Sequence, residues 1–251
     1  MTATGRVAVV TGGAAGIGMA IAVRLAKDGF RIAILDVVDG AAQRAAEAIA
    51  GVGGHARGYR ADVSDRQQVD AALTAARADL GPLAAVVANA AVAPQRPFLD
   101  MTLDEWNRTL SINLTGTFNV VQSALPDLLD AAWGRVVLIA SSSAQRGAPK
   151  MAHYAASKGG QMALTKALAV EFAKSGITVN TVAPSSIDTP SVQKKRAAGA
   201  IPSAEDMAKY IPVGRMGTGE DIAAAVSYLV SDEASYVTGQ TVSVNGGSFI
   251  G

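Results

Sequence analysis

Short apolar runs alternate along this chain with longer stretches in which apolar residues recur every three or four positions. An unbroken apolar run of a few residues marks a buried strand, and a period near 3.6 marks a helix. The pattern predicts strands near 6–11, 31–36, 56–61, 83–88, 134–140, 177–182 and 240–244, and helices near 16–28, 40–50, 65–79, 102–130, 152–174 and 219–230. Val7 to Val10 and Arg135 to Ile139 are almost continuously apolar, as strands covered on both faces are. The expected fold is therefore α/β, one domain over residues 1–251, with a parallel sheet between two helical layers.

Right-handed crossovers put the carboxyl ends of all parallel strands at one edge, where dinucleotides bind. Loops leave that edge at Thr11, Asp36, Asp62, Asn89, Ser141 and Ala183. The rhythm breaks over 184–218, where Pro184, Pro190, Pro202 and Pro212 surround a polar stretch Val192 to Ala198 and a short helix at 203–209. This region, about 188–215, reads as a lid over a site.

Composition narrows the function classes. The 251 residues are 49% apolar, which suffices for a large core. Cysteine is absent, so neither a disulfide framework nor a thiolate nucleophile is available. With no secretory leader and no apolar run of about 18 residues, a cytoplasmic protein that does not enter membranes is expected. Basic and acidic residues number 22 and 21 and form no long basic block, which argues against a nucleic-acid partner. His55 and His153, the two histidines, are far apart, so no metal site is expected.

The first strand runs into Thr11-Gly12-Gly13-Ala14-Ala15-Gly16-Ile17-Gly18 and then a helix, an arrangement that presents backbone N–H groups to a pyrophosphate. Gly12 allows the turn, Gly16 lets backbone approach the diphosphate, and Gly18 lets the helix pack closely on the strand. A plain strand-to-helix turn is the competing reading. Asp36 closes the second strand about 20 residues later, placed to accept both ribose hydroxyls and to repel a 2′-phosphate. No basic residue stands at Val37 or Val38, so NAD is the expected cofactor. A turn carboxylate is the alternative for Asp36. Asp62 is placed to accept from the adenine amino group while Val63 packs on the ring, and N-capping of the third helix falls to Ser64 or Asp65.

Tyr154 and Lys158 lie four apart on a predicted helix and share a face, so the ammonium favours the phenolate. Ser141 leaves a central strand 13 residues earlier, within reach of an oxygen shared with Tyr154. Alcohol oxidation needs a base for the hydroxyl proton and an acceptor for the hydride; Tyr154 suits the first role, NAD the second, and Ser141 polarises the oxygen. An interfacial tyrosine beside a solvated lysine is the competing reading.

With these residues in hand, the chain resembles the short-chain dehydrogenase/reductase family over essentially its whole length. The matching motifs are Thr11-Gly12-x3-Gly16-Ile17-Gly18, Asp62-Val63, Asn89-Ala90, Asn113, Ser141, Tyr154-x3-Lys158, Pro184 with Thr189, and Asn245-Gly246-Gly247. The resemblance implies a Rossmann fold whose seven strands run in the order 3-2-1-4-5-6-7, and a catalytic set of Asn113, Ser141, Tyr154 and Lys158. It further implies that Asn113 holds a water linking Lys158 to solvent and that Lys158 binds the nicotinamide ribose. Asn89 would shape the end of the fourth strand, with Ile187 and Thr189 on the carboxamide and Ala15, Ala90 and Pro184 completing the cofactor wall. Three positions depart from the family pattern: Ala88 stands where asparagine is usual, and Ala91 and Ser185 each stand where glycine is usual.

The expected activity is interconversion of a secondary alcohol and a ketone, with Ser143, Gln145, Met151, Ser185 and Ser186 near the substrate. A 3-oxoacyl-thioester reductase or 3-hydroxyacyl-thioester dehydrogenase is the alternative, for which Lys194-Lys195-Arg196 would attract a phosphate-bearing carrier, although a solvated helix face is the favoured reading of that run. A dinucleotide-sensing protein without turnover is a third reading, weakened because sensing has no use for Ser141, Tyr154 and Lys158 together. His153 reads as structural, since neighbouring helix positions face different ways. Long helices and the apolar tail Ser248-Phe249-Ile250 fit the homotetramer that the resemblance implies.

Overall fold

The computed structural model describes residues 5–250; the outermost positions of the expected domain, 1–4 and 251, lie outside them. Seven strands form one sheet: β1 (Val7–Thr11), β2 (Arg31–Asp36), β3 (His55–Arg60), β4 (Leu83–Ala88), β5 (Gly134–Ile139), β6 (Ile177–Pro184) and β7 (Thr241–Val244). They are all parallel and run in the order 3-2-1-4-5-6-7, so the chain crosses from one half of the sheet to the other on its way from β3 to β4, and the strand order reverses at the β1–β4 junction. That reversal opens a crevice beyond the strand ends.

The helices are α1 (Gly16–Lys27), α2 (Ala41–Ala50), α3 (Arg66–Leu80), α4 (Leu103–Leu110), α5 (Gly116–Asp130), α6 (Ser143–Arg146), α7 (Ala152–Phe172), α8 (Pro190–Ala197), α9 (Ala204–Ala208) and α10 (Gly219–Leu229). Side chains alternate across each strand, and the sheet has a core on either face. Ala8, Val10, Ile32 and Ile34 pack with Ile21 and Leu25 of α1, Ile49 of α2 and Val226 of α10. Val7, Val9, Ala33 and Leu35 pack on the other face with Leu73 of α3 and with Val120 and Leu128 of α5.

The helix expected at 102–130 differs from a regular helix. Thr102 and Glu105 start it with a capping box, and α4 and α5 are then separated by a wider π-helical turn, Ser111–Thr115. A π turn inserts a residue into the helical repeat and re-aims the side chains it carries. Asn113 is one of them. Across the expected lid, Thr189 caps α8 with Pro190 in its first turn, and Ser203 caps α9. The polar stretch Val192 to Ala198 thus lies on α8 and its end.

Among the described residues no helix is long and apolar enough to cross a membrane, and no group of three or more metal-ligating side chains converges.

Helix α2 lies on β3 so closely that a Cβ added at Gly58 would stand 2.3 Å from the Ala42 carbonyl carbon and oxygen. The neighbour is backbone and cannot swing aside. Gly58→Ala should cost about 1–3 kcal/mol, the usual range for overpacking, read as a lower urea midpoint at unchanged slope. An unaltered midpoint would contradict this packing.

Candidate active site

Two adjoining cavities occupy the crevice. The first, about 460 Å³, runs from the glycine turn past Asp36, Asp62 and Val63 to Asn89, Ala90 and Thr189. Gly12 and Gly16 both adopt positive φ, at +59° and +54°, where a side chain would be strained. A Cβ at Gly18 would lie 2.1 Å from the Gly12 carbonyl oxygen, so this glycine is required by helix-to-turn packing. Ala15 caps α1 without a side-chain acceptor, and no acidic residue stands in the first turn. The free N–H groups and the positive end of the helix dipole are therefore left for an anion.

Asp36 ends β2 with its carboxylate on the cleft wall. Its oxygens accept from the backbone N–H groups of Ala14 (3.3 Å) and Val38 (3.1 Å), which fixes the carboxylate and leaves lone pairs for a ligand. Asp62 is partly engaged, since Oδ1 accepts from the Ser64 backbone at 2.9 Å and its hydroxyl at 2.6 Å. Asp65, as expected, caps α3. Asn89 donates to the carbonyls of Thr11 (3.0 Å) and Gly12 (3.1 Å), tying β4 to the glycine turn. Arg108, from α4, also borders the cleft; the sequence reading missed it because its place depends on how α4 lies over the strand ends.

The second cavity, about 480 Å³, shares Ile17, Asn89, Ala91 and Thr189 with the first and holds Ser141, Tyr154 and Lys158 on its wall. Ser141 follows β5, and its hydroxyl accepts from the Ser143 N–H at 3.1 Å. Burial raises the Tyr154 pKa, opposed by a hydrogen bond with Ser141. Lys158 lies 5.8 Å from the centre of the Tyr154 ring. It is fully buried, and loss of hydration pushes its pKa from 10.5 down to about 7. Its ammonium donates to the Ile139 carbonyl (2.6 Å) and to Gln161 Oε1 (3.0 Å), with no carboxylate among these partners.

Asn113 is buried on the π turn and clamps the β4 loop in both directions. Its Oδ1 accepts from the Val92 N–H (2.8 Å), while Nδ2 donates to the Val92 carbonyl (3.0 Å) and the Ser157 hydroxyl (3.0 Å). Its main-chain oxygen accepts from Gln161 Nε2 at 2.9 Å. The Gln161 amide therefore links the Asn113 main chain directly to Lys158.

Ser143, Met151, Ser185 and Ser186 line the second cavity, together with Pro184 and Ile187. Gln145 does not belong with them: its amide donates to Ser243 of β7 at 3.0 Å, so the short helix α6 turns it away from the cavity. The region 188–215 adds Val192, Lys195, Ile201 and Met207, and Met216 follows. Of the basic run, Arg196 pairs with Asp188 at 2.8 Å, and Lys195 borders the cavity. His153 is buried, and neither ring nitrogen has a hydrogen-bond partner among the described residues.

A family model described as enoyl-(acyl carrier protein) reductase matches residues 12–248. Acetoacetyl-CoA reductase of Shinella zoogloeoides is 39% identical over 247 residues, covering 97% of this chain and 98% of the relative. The 2-(S)-hydroxypropyl-CoM dehydrogenase 3 of Xanthobacter autotrophicus is 37% identical over 244 residues, covering 96% and 95%. The crystal structure of levodione reductase superposes with a TM-score of 0.91 at 35% identity, over 97% of each chain. The chain belongs to the short-chain dehydrogenase/reductase family of oxidoreductases, whose members work with a nicotinamide dinucleotide.

Proposed function

We propose that this protein is an NAD(H)-dependent dehydrogenase that interconverts a secondary alcohol and a ketone, with Tyr154 as acid/base. The observation that carries this reading is the convergence of Ser141, Tyr154 and Lys158 on one cavity wall that opens onto the dinucleotide cleft. The residues present fit the cofactor: an uncapped helix N-terminus for the pyrophosphate and a fixed carboxylate for the adenosine ribose. When bound, the nicotinamide supplies the hydride acceptor. The Ser141 hydroxyl donates to the substrate oxygen and orients it. The Tyr154 phenolate removes the hydroxyl proton as the carbon gives up its hydride, and returns that proton to the oxygen in the reverse direction. The Lys158 charge favours the phenolate, offsetting the rise that burial imposes on Tyr154. Asn113 holds the loop after β4 in place through Val92.

Within the same reading, residues 188–215 close over the substrate, whose other contacts are Ser143, Met151, Ser185 and Ser186. A small-molecule alcohol or ketone of modest polarity suits this wall, and the protein acts in the cytoplasm. Lys195 on the wall favours a second reading, a 3-oxoacyl-thioester substrate, which the names of two relatives also suggest: acetoacetyl-CoA reductase and the 3-oxoacyl-[acyl-carrier-protein] reductase MabA of Mycobacterium tuberculosis. Activity screened on secondary and cyclic alcohols, sugar alcohols and 3-hydroxyacyl-coenzyme A esters separates the two. Exclusive use of the thioesters would replace the first reading by the second.

Asp36→Ala should narrow the preference for NAD over NADP in kcat/KM; equal use of both by the wild type, or an unrelaxed preference in the variant, would refute the assignment. Tyr154→Phe should lower kcat by at least about 100-fold, the lower end of what a positioned acid/base contributes, with NAD binding nearly unchanged. Lys158→Ala should weaken both turnover and NAD binding. Normal turnover by Tyr154→Phe would remove Tyr154 from the mechanism.

Assembly belongs to the same proposal. Phe118 and Leu129 on α5, Val170 on α7 and Ile250 in the tail are exposed apolar side chains. Covering them with other copies of the chain would remove this apolar surface from water, as a homotetramer would. Sedimentation at micromolar concentration should give a particle well above the 25.5 kDa monomer, and a monomer would refute the proposal.

A further inference from the structure

Gln161 lies three residues after Lys158 on α7 and is completely buried. Its amide can be oriented in only one way. Nε2 donates to the Asn113 main-chain oxygen (2.9 Å) and to the Thr117 hydroxyl oxygen (2.6 Å), and Thr117 spends its own hydrogen on the same Asn113 oxygen (2.8 Å). Both partners are thus acceptors. A flipped amide would set its oxygen against two oxygens and its NH2 against the ammonium. Oε1 therefore faces Lys158 Nζ at 3.0 Å.

An ammonium has three hydrogens, and two are taken, by Ile139 O and Gln161 Oε1. The third is left for the cavity on whose wall Lys158 and Tyr154 both lie. Both acceptors are neutral dipoles. They stabilise the buried cation without cancelling its field, which a carboxylate in the same place would do. The amide also ties the cation to the π turn through Asn113, so the helix carrying Lys158 and the loop bordering both cavities share one hydrogen-bonded network.

We infer that Gln161 is a positioning residue of the reaction, holding Lys158 charged and aimed so that its field falls on Tyr154. This inference rests on the reading of Tyr154 as acid/base. The surroundings contain few competing charges. The π turn and β6 carry no titratable side chain, and Arg135 of β5 points to the Ser231 and Gly176 carbonyls. On α4, Glu105 is paired with Arg96, while Asp104 and Arg108 are exposed. Arg146 on α6 is exposed, as is Lys174 in the turn that follows α7. On α7 itself, Lys166 and Glu171 are exposed, and His153 is buried one turn before Ser157.

The test is the pH profile of kcat/KM for alcohol oxidation at saturating NAD, in wild type, Gln161→Met, Gln161→Glu and Tyr154→Phe. Gln161→Met removes the acceptor, so less positive charge supports the phenolate. Gln161→Glu keeps the size of the side chain and cancels the cation's field, while giving up the two hydrogen bonds that Nε2 donates. In both, the rise of activity with pH should move upward by about one pH unit, with activity recovering on the alkaline side. A purely structural role would lower the melting temperature and leave the rise where it is in wild type, overturning the inference. If Gln161→Met fails to fold, the isosteric Glu variant decides. An inactive Tyr154→Phe with unshifted Gln161 variants sinks this inference alone, whereas an active Tyr154→Phe sinks the underlying reading.

Discussion

The burial of the Lys158 ammonium without a carboxylate beside it constrains the rest of the site. A charge removed from water is costly, and burial alone drives this lysine toward its neutral form. The protein answers with oriented dipoles, the Ile139 carbonyl at the end of β5 and the Gln161 amide. Both depend on the fold. The first requires β5 to end beside α7, and the second requires the π turn to present the Asn113 main-chain oxygen, which fixes the amide. An ion pair would be cheaper to bury but would spend its field on its own partner. An uncancelled cation can act on the neighbouring phenol, the property the proposed chemistry uses.

The sheet makes this possible by bringing distant parts of the chain to one edge. Thr11 accepts from the Asn89 and Ala90 N–H groups through its hydroxyl, 3.0 Å from each, and so locks the end of β4 to the glycine turn. Asn89 completes the lock from its own side chain. The two cavities meet at this junction, sharing Ile17, Asn89, Ala91 and Thr189. A hydride donor and its acceptor must approach closely, and a rigid seam between their cavities serves that approach.

Much of this was legible in the chain. The central strands read clearly because burial on both faces leaves them nearly continuous in apolar residues, and their spacing predicted the parallel sheet. The glycine turn and Asp36 could be placed because a strand end fixes where the next residue must lie. Other features depend on helix register, which a linear pattern does not reveal. The π turn at Ser111–Thr115 is an extra residue hidden in a stretch that otherwise reads as regular helix. Gln161 looks like any polar helix position until its burial against Asn113 and Thr117 is known. Gln145 is expected near the substrate, but the turn of α6 sends it to Ser243. The residues between 188 and 215 that border the second cavity, among them Lys195 and Met207, owe their place to how two short helices settle over the strand ends.

The central claim is that the Lys158 amine is buried with no carboxylate to compensate its charge, so that charging it is costly, and its effect on stability tests this without relying on any substrate. The folded state holds its pKa at about 7, against an ordinary 10.5, so between those values the unfolded chain binds a proton that the folded chain does not. Stability then rises with pH through this window on account of Lys158, and a variant without the amine lacks that rise. The measurement is the unfolding free energy of wild type and Lys158→Met, without cofactor, from pH 6 to pH 10. The account predicts that the wild type gains on the variant as pH rises from about 7 to about 10. A difference that stays constant across that range would contradict it.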